Sequence, residues 1–373
     1  MSSLINARVG LQQRVLPSYR VPFFDALAQV CGGGLEVFAG KARAVEAIDS
    51  GARPRIAVYS PARNHHLSLG SGYLCWQAGL LPWLERWQPE ALILEANPRT
   101  LSTLLALRWC RQNNVPAIGW GLGSGTQSGL GAALRRAFHS QFNALIAYSA
   151  QGASDFIRLG FDPARVFTAP NAVAPRPVGD PPQRPPNYRN NRAIVLYVGR
   201  LQARKNVDQL IRACALLPAQ MEMQLWIVGD GPERHTLENL AQSVFPCTTF
   251  HGARHGQDLD LLFRQADLFV LPGTGGLAVQ QAMSHALPVI VGQADGTQTE
   301  LVRPESGWLV PGGEQALAQT LQSALADVPH LRRMGSAAFR IVRDEINLET
   351  MVAAFAAAVN AALEDAHARH PGR

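Results

Sequence analysis

Short apolar runs alternate with amphipathic stretches along the first half of the chain. The apolar runs predict strands, and the stretches with apolar positions every three or four residues predict helices. Predicted strands lie at about 8–16, 35–38, 91–95, 115–119, 144–148 and 166–169. Predicted helices begin at Val21 and span about 74–87, 99–113, 130–139 and 150–159, whereas residues 39–72 fit neither period. This alternation is typical of βαβ units that build a parallel sheet.

The same alternation returns after a proline-rich segment at 172–191. Predicted strands lie at 193–198, 224–228, 248–250, 268–271 and 288–291, with helices at 207–216, 233–242, 259–265 and 277–285. Three helices follow near 314–325, 331–345 and 348–368. We therefore predict two doubly wound parallel-sheet domains, at 1–171 and 192–345, joined by a stiff linker at 172–191. The alanine-rich C-terminal helix, at 346–373, is expected to pack on a domain surface, with the first domain as one candidate.

Composition agrees with two globular domains. The chain has 373 residues, of which 47% are hydrophobic and 17% charged, enough apolar material for two cores. No run of about 18 apolar residues is present, and the N-terminal residues lack the apolar core of a signal peptide. These features predict a cytoplasmic protein. Five cysteines without a C-x-x-C pair predict buried or free thiols and no metal site.

Charge is distributed unevenly between the halves. Residues 1–170 contain sixteen Lys and Arg against nine Asp and Glu, while the remainder contains eighteen against nineteen. The basic excess in the first half indicates an acidic partner there, such as anionic lipid or a phosphorylated acceptor. An arginine-rich solvated surface is the alternative. No stretch of basic residues interspersed with aromatic residues is present, so nucleic acid is not predicted as a partner.

Parallel sheets bind ligands beyond the carboxyl ends of their strands, and two facing sheets form a cleft between domains. In the first domain this rule selects the segments 17–20, 95–97 and 120–124. Their side-chain candidates for binding are Tyr19, Arg20, Glu95 and Trp120. In the second domain the rule selects the segments 199–205, 229–232, 251–255 and 273–276. The two histidines of the third segment, His251 and His255, have no third ligand that would predict a metal.

Two turns of the second domain have the composition of an anion site. The turn at 272–276 leads into a helix through Gly275 and Gly276, which leaves the first backbone N–H groups open to a ligand. Phosphate is the usual partner of such a helix start. Arg200 and Lys205 bracket an earlier strand-to-helix turn, and a guanidinium with an ammonium suits a pyrophosphate. We therefore expect both turns to bind one anionic ligand.

Several ordered motifs carry a family resemblance. VGRLQARKN, IVGDGPE, HG, PGTGGLAVQQAM, ALPVIV and SGWLVPGG, within about 194–339, resemble the C-terminal domain of family 4 glycosyltransferases. The first domain resembles the family only in layout and in IAYS and APNAV, within 146–173. The resemblance implies the GT-B architecture, with two Rossmann-like domains facing an interdomain cleft. It also implies retaining sugar transfer from a nucleotide-diphosphate sugar without a cofactor or a bound metal.

The resemblance assigns roles to individual residues. Arg200 and Lys205 match the catalytic diphosphate-binding pair. The implied donor-binding residues are Gly199, Gly229, Arg254, Gly273, Thr274, Gly275, Gly276, Leu277, Ala278 and Gln281. In the family the first domain binds the acceptor, which makes Tyr19, Arg20, Glu95 and Trp120 acceptor-side candidates.

The chain departs from the family pattern at three places. The family motif carries two glutamates, and here Gly273 occupies the first position and Gln281 the second. In the family the first contacts the donor sugar and the second accepts hydrogen bonds from the ribose. The glycine pair expected after the first strand is replaced by Pro17-Ser18-Tyr19-Arg20.

The leading hypothesis is a cytoplasmic hexosyltransferase for surface polysaccharide or glycoconjugate synthesis. Its acceptor would be a glycan, a lipid-linked sugar or a small molecule, and the basic first domain would contact the anionic inner face of a membrane. Two alternatives are open. One is a non-catalytic partner protein that binds a nucleotide sugar. The other is a sugar-nucleotide epimerase, which needs a carboxylate pair, and Glu95 is the one candidate for it.

Overall fold

The computed structural model describes residues 4–43, 46, 48–69, 72–123, 130–292 and 298–369. Ser124 of the predicted binding segments lies outside these residues. The chain divides into two compact units, one formed by Met1–Val173 with Leu348–Arg373 and the other by Ala174–Asn347. Each unit has its own parallel sheet.

The first unit begins with an α/β series followed by a hairpin. In chain order the elements are β1 (Val9–Val15), α1 (Val21–Val30), β2 (Leu35–Gly40), β3 (Val58–Pro61), β4 (Arg63–Leu69), β5 (Gly72–Ala78), α2 (Leu80–Trp87), β6 (Ala91–Glu95), α3 (Ser102–Asn113), β7 (Ala117–Gly121), α4 (Leu130–His139), β8 (Ala144–Ala147), α5 (Ala150–Arg158) and β9 (Val166–Thr168). Seven parallel strands form the sheet in the order β3-β2-β1-β6-β7-β8-β9. The strand order therefore reverses between β1 and β6, which is where doubly wound folds bind ligands.

The stretch after β2 differs from the prediction. Residues 39–72 were expected to be irregular, but they contain β3 and β4, and β4 pairs antiparallel with β5. The helix predicted at 74–87 is wrong in its first half. β5 continues to Ala78, and α2 begins only after Gly79, whose φ is 89°. In the sequence, Gly70-Ser71 lies between two short segments, a pattern typical of a hairpin that the sequence prediction did not include.

The second unit repeats the topology of the first. Its elements are β10 (Ala193–Val198), α6 (Val207–Ala215), β11 (Met223–Val228), α7 (Arg234–Val244), β12 (Thr248–Gly252), α8 (Gly256–Gln265), β13 (Leu268–Leu271), α9 (Leu277–Ser284), β14 (Val289–Gly292), α10 (Gln298–Leu301), β15 (Gly307–Val310), α11 (Glu314–Ala326) and α12 (Val328–Asp344). The parallel order is β12-β11-β10-β13-β14-β15, so the reversal falls between β10 and β13. The sequence prediction missed β15, a four-residue strand that begins at Gly307 and pairs with β14.

The proline-rich segment is attached to the second unit. Arg184 donates hydrogen bonds to four backbone carbonyls, those of Phe263, Ala266, His285 and Ala286. Burial of this guanidinium lowers its pKa to about 10. From Ala174 onward the segment predicted as a linker at 172–191 therefore belongs to the second unit.

The last helix, α13 (Leu348–Arg369), packs in the core of the first unit. Phe355 is fully buried, and its ring centroid lies 4.8 Å from that of Phe23 and 4.9 Å from that of Trp120. Among the described residues, one stretch, Val328–Arg369, is long and apolar enough to cross a membrane by length and composition. It comprises α12 and α13, and 56% of its most apolar window is buried, as in a core helix.

Candidate functional site

At the strand reversal of the second unit, the turns that follow β10 and β13 touch each other. The ammonium of Lys205 donates a hydrogen bond to the carbonyl of Thr274. The guanidinium of Arg204 donates to the Thr274 hydroxyl at 2.9 Å, and the Thr274 N–H donates to the Arg204 carbonyl at 3.4 Å. The two turns that the sequence predicts to bind an anion are therefore joined by hydrogen bonds.

Gly273 allows this contact. A Cβ atom at this position would lie 2.5 Å from the Arg204 carbonyl oxygen and 2.6 Å from Cα of Lys205. Side chains do not tolerate such distances to backbone atoms, so the close approach of the two turns requires glycine. A backbone contact therefore occupies the position at which the family resemblance implies a glutamate.

The start of α9 has the features of a helix terminus that suits an anion. Gly276 is the N-cap, has no side chain to accept a hydrogen bond, and is followed by a first turn without an acidic residue. Gly275 has φ 131°, and a Cβ atom on it would lie 2.9 Å from the Lys205 ammonium nitrogen. The helix terminus, with the N–H groups of Leu277 and Ala278, thus adds partial positive charge beside the full charge of the Lys205 ammonium.

Two further predicted donor residues, Gly199 and Gly229, follow the neighbouring strands β10 and β11. Gly199 follows β10, and its N–H donates to the Val228 carbonyl at 3.0 Å. A Cβ atom on Gly229 would lie only 1.9 Å from the Gly199 carbonyl oxygen, so this neighbour must also be glycine. Arg200 follows directly, and its carbonyl accepts a hydrogen bond from Tyr197 at 3.1 Å.

Arg254 is the predicted donor residue that the structure does not bring to this site. It follows the edge strand β12, and its Nε donates to the His251 carbonyl in its own turn at 3.0 Å. Within the described chain, no hydrogen bond joins it to the 199–205 or 272–276 turns.

Two adjacent glutamines on α9 have different environments. Gln281 is half-buried, and its side chain makes no hydrogen bond to another described residue. Gln280 is fully buried; it accepts from the Ala174 N–H at 3.0 Å and donates to the Ile346 carbonyl at 2.7 Å. Gln280 therefore ties both chain ends of the second unit to the helix that begins at the glycine-rich turn. The sequence analysis did not identify this residue.

A cavity of about 600 Å³ opens at the strand reversal of the first unit. Its wall includes all four acceptor-side candidates, which come from the carboxyl ends of three strands. They are Tyr19, Arg20, Glu95 and Trp120. The wall also contains ionisable residues that the sequence analysis did not select, namely Arg14, Arg99, Arg135, His139 and Tyr148.

Arg20 is the buried cation of this cavity, with 5% of the residue exposed. It donates to the Asn171 side-chain oxygen and to the Ala172 carbonyl at 3.4 Å, and both acceptors are uncharged. Its guanidinium carbon lies 5.5 Å from the ring centroid of Trp120 and 5.7 Å from that of Tyr148. Aromatic faces stabilise a cation at such distances without neutralising it.

Glu95 and Arg14 have separate partners in the same wall. The Glu95 carboxylate accepts from the backbone N–H of Arg14 at 2.9 Å, and no described cationic group lies within ion-pair distance of it. The guanidinium of Arg14 pairs with Glu46 at 2.9 Å, and Glu46 also accepts from Arg43 at 3.1 Å. Arg14 is thereby neutralised, whereas Glu95 remains an acceptor facing the cavity.

His139 is an uncharged member of the wall. Burial, followed by the positive charge of Arg135, lowers its pKa from 6.5 to about 4. Among the described residues, no group of three or more His, Cys, Asp or Glu side chains is placed to hold a metal ion.

Comparison with known proteins identifies part of the chain. The family model described as glycosyl transferases group 1 matches residues 182–340. Those residues are therefore similar in sequence to the glycosyl transferases group 1 family. They include both turns of the second-unit site, and the folds of known structures place this domain in the GT-B architecture.

Two curated relatives align with about two fifths of the chain. A GDP-mannose-dependent alpha-mannosyltransferase of Mycobacterium tuberculosis is 36% identical over 154 residues, which are 40% of this chain and 38% of the relative. A protein of the same name from Mycolicibacterium smegmatis is 39% identical over 159 residues, or 41% and 39% of the two chains. The chain thus spans about two fifths of the length of these relatives.

Structural similarity extends over both units. The crystal structure of Anabaena Alr3699/HepE in complex with UDP has a TM-score of 0.67, with 19% sequence identity. The match covers 92% of this chain and 97% of that chain. At this identity the comparison shows a shared fold.

Proposed function

We propose that the chain is a retaining hexosyltransferase that takes a sugar from a nucleotide-diphosphate donor. The observation that carries this proposal is the contact between the 199–205 and 272–276 turns, which places Lys205 at the start of α9. The names of the relatives, which are mannosyltransferases that depend on GDP-mannose, support GDP-mannose as the first donor to assay. UDP-glucose is the second, because a structural neighbour was solved with UDP.

The proposed chemistry places charge stabilisation at the second-unit turns. When the bond between the sugar and the diphosphate breaks, negative charge grows on the departing diphosphate. Arg200, Lys205 and the N–H groups of α9 would stabilise that charge, and interactions stronger in the transition state than in the ground state raise the rate. The acceptor hydroxyl would attack the face that the diphosphate leaves, which retains the anomeric configuration, and its proton would pass to the departing diphosphate. We propose no step through a metal or cofactor.

The acceptor would bind in the cavity of the first unit. Tyr19 is exposed and offers aromatic surface to a sugar ring, and Glu95 offers an acceptor for its hydroxyl groups. The biological role we propose is synthesis of a surface polysaccharide or glycoconjugate in the cytoplasm. The basic excess of the first half supports contact with an anionic membrane surface, testable by salt-dependent sedimentation with vesicles.

The test is turnover of GDP-mannose and UDP-glucose by the full chain and by Lys205→Ala. We expect release of the nucleoside diphosphate to fall about 100- to 1000-fold in the variant, as for loss of one charge-stabilising donor. Lys41→Ala is the matched control, because Lys41 is the other lysine of the chain and is exposed. Unchanged turnover in Lys205→Ala would refute the proposed role of the turns.

The second candidate is a non-catalytic protein that binds a nucleotide sugar. Gly273 and Gln281 favour it, because neither provides the carboxylate found at the corresponding family positions. Tight binding of a nucleotide sugar without turnover across a panel of acceptors would support this candidate. Turnover of any donor would exclude it.

A further inference from the structure

A second cavity of the first unit lies at the amino ends of its strands, on the edge of the sheet opposite Glu95. Its volume is about 580 Å³. Arg8, Glu90 and Pro116 line it, and they directly precede β1, β6 and β7. The five-residue strand β6 rises about 3.3 Å per residue, so about 16 Å of sheet separates this cavity from Glu95. A ligand here would therefore occupy a site distinct from the proposed acceptor cavity.

Three amide side chains converge on this cavity from different elements. Gln88 ends α2 with φ 47°, Asn114 ends α3 with φ 57°, and Asn6 precedes β1. Within the described chain, none of the three amide groups makes a hydrogen bond to another residue. Each amide has both donors and an acceptor, so together they suit a ligand with several groups that do both.

The aromatic and charged side chains of the wall favour an uncharged ligand. Trp109 on α3 is half-buried, and its carbonyl accepts from the side chain of Asn113 at 2.9 Å, which belongs to the same wall. Arg8 is the one arginine among the described residues of the wall. Its backbone N–H donates to the Glu90 carboxylate at 2.7 Å, and its Nε lies 3.6 Å from the same carboxylate. The guanidinium is thereby neutralised, unlike that of Arg20 in the other cavity.

A smaller cavity of about 190 Å³ extends this wall. The two cavities share four residues, Asn114, Val115, Pro116 and Ala366. The smaller one adds polar groups that are fixed in place. Arg111 donates to the Gln141 side chain at 2.8 Å, and the Asn143 side chain accepts from the Ala117 N–H at 2.9 Å. We call the two cavities together the amino-end groove, and its length suits an elongated ligand.

We propose that the amino-end groove binds an uncharged oligosaccharide. Sugar rings present apolar faces, which pack on aromatic side chains, and hydroxyl groups, which donate and accept hydrogen bonds. Trp109 supplies the first kind of surface, and Asn6, Gln88 and Asn114 supply the second. A linear chain would run from Trp109 past Asn114 into the smaller cavity. The inference goes beyond the proposed transferase function and does not require it.

The test is isothermal titration of the full chain with maltohexaose and mannohexaose, and with glucose and mannose as single rings. We expect one of the hexasaccharides to bind at least about tenfold more tightly than its monosaccharide, because the groove contacts several rings. Trp109→Ala should weaken this binding about tenfold, through loss of the aromatic surface. Trp76→Ala is the matched control, because Trp76 is an exposed tryptophan on β5 outside the groove.

A second variant removes a polar contact without disturbing the fold. Gln88 has a left-handed backbone, which glycine adopts without strain, so Gln88→Gly deletes the amide and retains the turn. We expect about fivefold weaker hexasaccharide binding at an unchanged unfolding temperature. Asn190→Gly is the matched control, since Asn190 is an exposed amide residue of the second unit with φ 55°.

Glu95→Gln locates the binding, because Glu95 belongs to the other cavity. Hexasaccharide binding that falls in Trp109→Ala and Gln88→Gly and persists in Glu95→Gln supports the inference. Binding lost in Glu95→Gln but not in Gln88→Gly would place the oligosaccharide in the acceptor cavity and overturn it. Equal losses in Trp109→Ala and Trp76→Ala, or no binding of either hexasaccharide, would also overturn it. Binding at the groove without nucleotide-sugar turnover would refute the proposed function and leave this site standing.

Discussion

The two units have the same strand topology but build different chemistry at the point where strand order reverses. In the second unit the reversal between β10 and β13 is lined by glycines, and the ligand would meet backbone N–H groups beside Lys205. In the first unit the reversal between β1 and β6 opens a cavity lined by aromatic and arginine side chains. The same fold thus carries one candidate site made of backbone groups and another made of side chains, because topology fixes only the location.

The largest expected effect comes from adding a side chain at Gly273, where the two turns of the second unit contact each other. Gly273→Ala should weaken donor binding and turnover at least about 100-fold, because its Cβ would push the turn away from Arg204 and Lys205. Titration with GDP and steady-state assays measure this. Gly32→Ala is the control in the first unit, since its Cβ would meet nothing closer than 3.5 Å. Equal behaviour of the two variants would contradict the required contact.

Acid should destabilise the first unit through His139. Its pKa is about 4 in the folded protein and about 6.5 when unfolded, so the unfolded chain binds the proton more readily between these values. Stability is therefore full above pH 6.5 and falls by up to about 3 kcal/mol as the pH drops towards 4. Denaturant unfolding followed against pH measures it. His139→Phe should flatten this part of the profile; a profile unchanged by the substitution would contradict the assignment.

The tie between α9 and the chain ends predicts a stability effect specific to the second unit. Gln280→Ala leaves the Ala174 N–H and the Ile346 carbonyl without their buried partner, which should cost about 2 kcal/mol. Chemical denaturation provides the measurement. Gln281→Ala is the matched neighbour and should stay within about 0.5 kcal/mol of the wild type. Similar losses in both variants would mean that the buried amide has no special role.

The smallest effect concerns the ribose end of the donor. Gln281→Glu replaces an amide with a carboxylate, which accepts hydrogen bonds more strongly. If Gln281 faces the ribose, as the family resemblance implies, the donor affinity should rise by about fivefold. Comparing titrations of GDP-mannose with those of pyrophosphate separates this gain from any change at the phosphates. A gain for both ligands would argue against a ribose contact.

The sequence predicted the architecture because the alternation of apolar runs and amphipathic stretches survives in both units. It failed at β4 and β5, where polar residues such as Arg63 and His65 obscure the strand pattern. β15 has only four residues, too few to show a clear strand pattern in the sequence. The rule on strand ends selected both candidate sites, and the structure places Tyr19, Arg20, Glu95 and Trp120 in one cavity.

The finer chemistry of the sites depends on contacts between distant residues, which a sequence pattern does not contain. The sequence shows Gly273 only as the absence of a glutamate. The structure shows that the backbone of Arg204 and Lys205 packs against this glycine. The burial of Arg20 depends on Met351, which is 331 residues away on α13. Arg99 lies just beyond a segment that was selected, and nothing in its sequence neighbourhood marks it as a wall of the cavity.

The central claim is that the diphosphate binds at the second-unit reversal, and titration of GDP into three forms of the full chain tests it most directly. The account predicts that Lys205→Ala binds GDP at least about tenfold more weakly than the wild type, while Arg99→Ala binds it equally well. GDP binding that survives in Lys205→Ala and is lost in Arg99→Ala would place the nucleotide in the other unit and contradict the account.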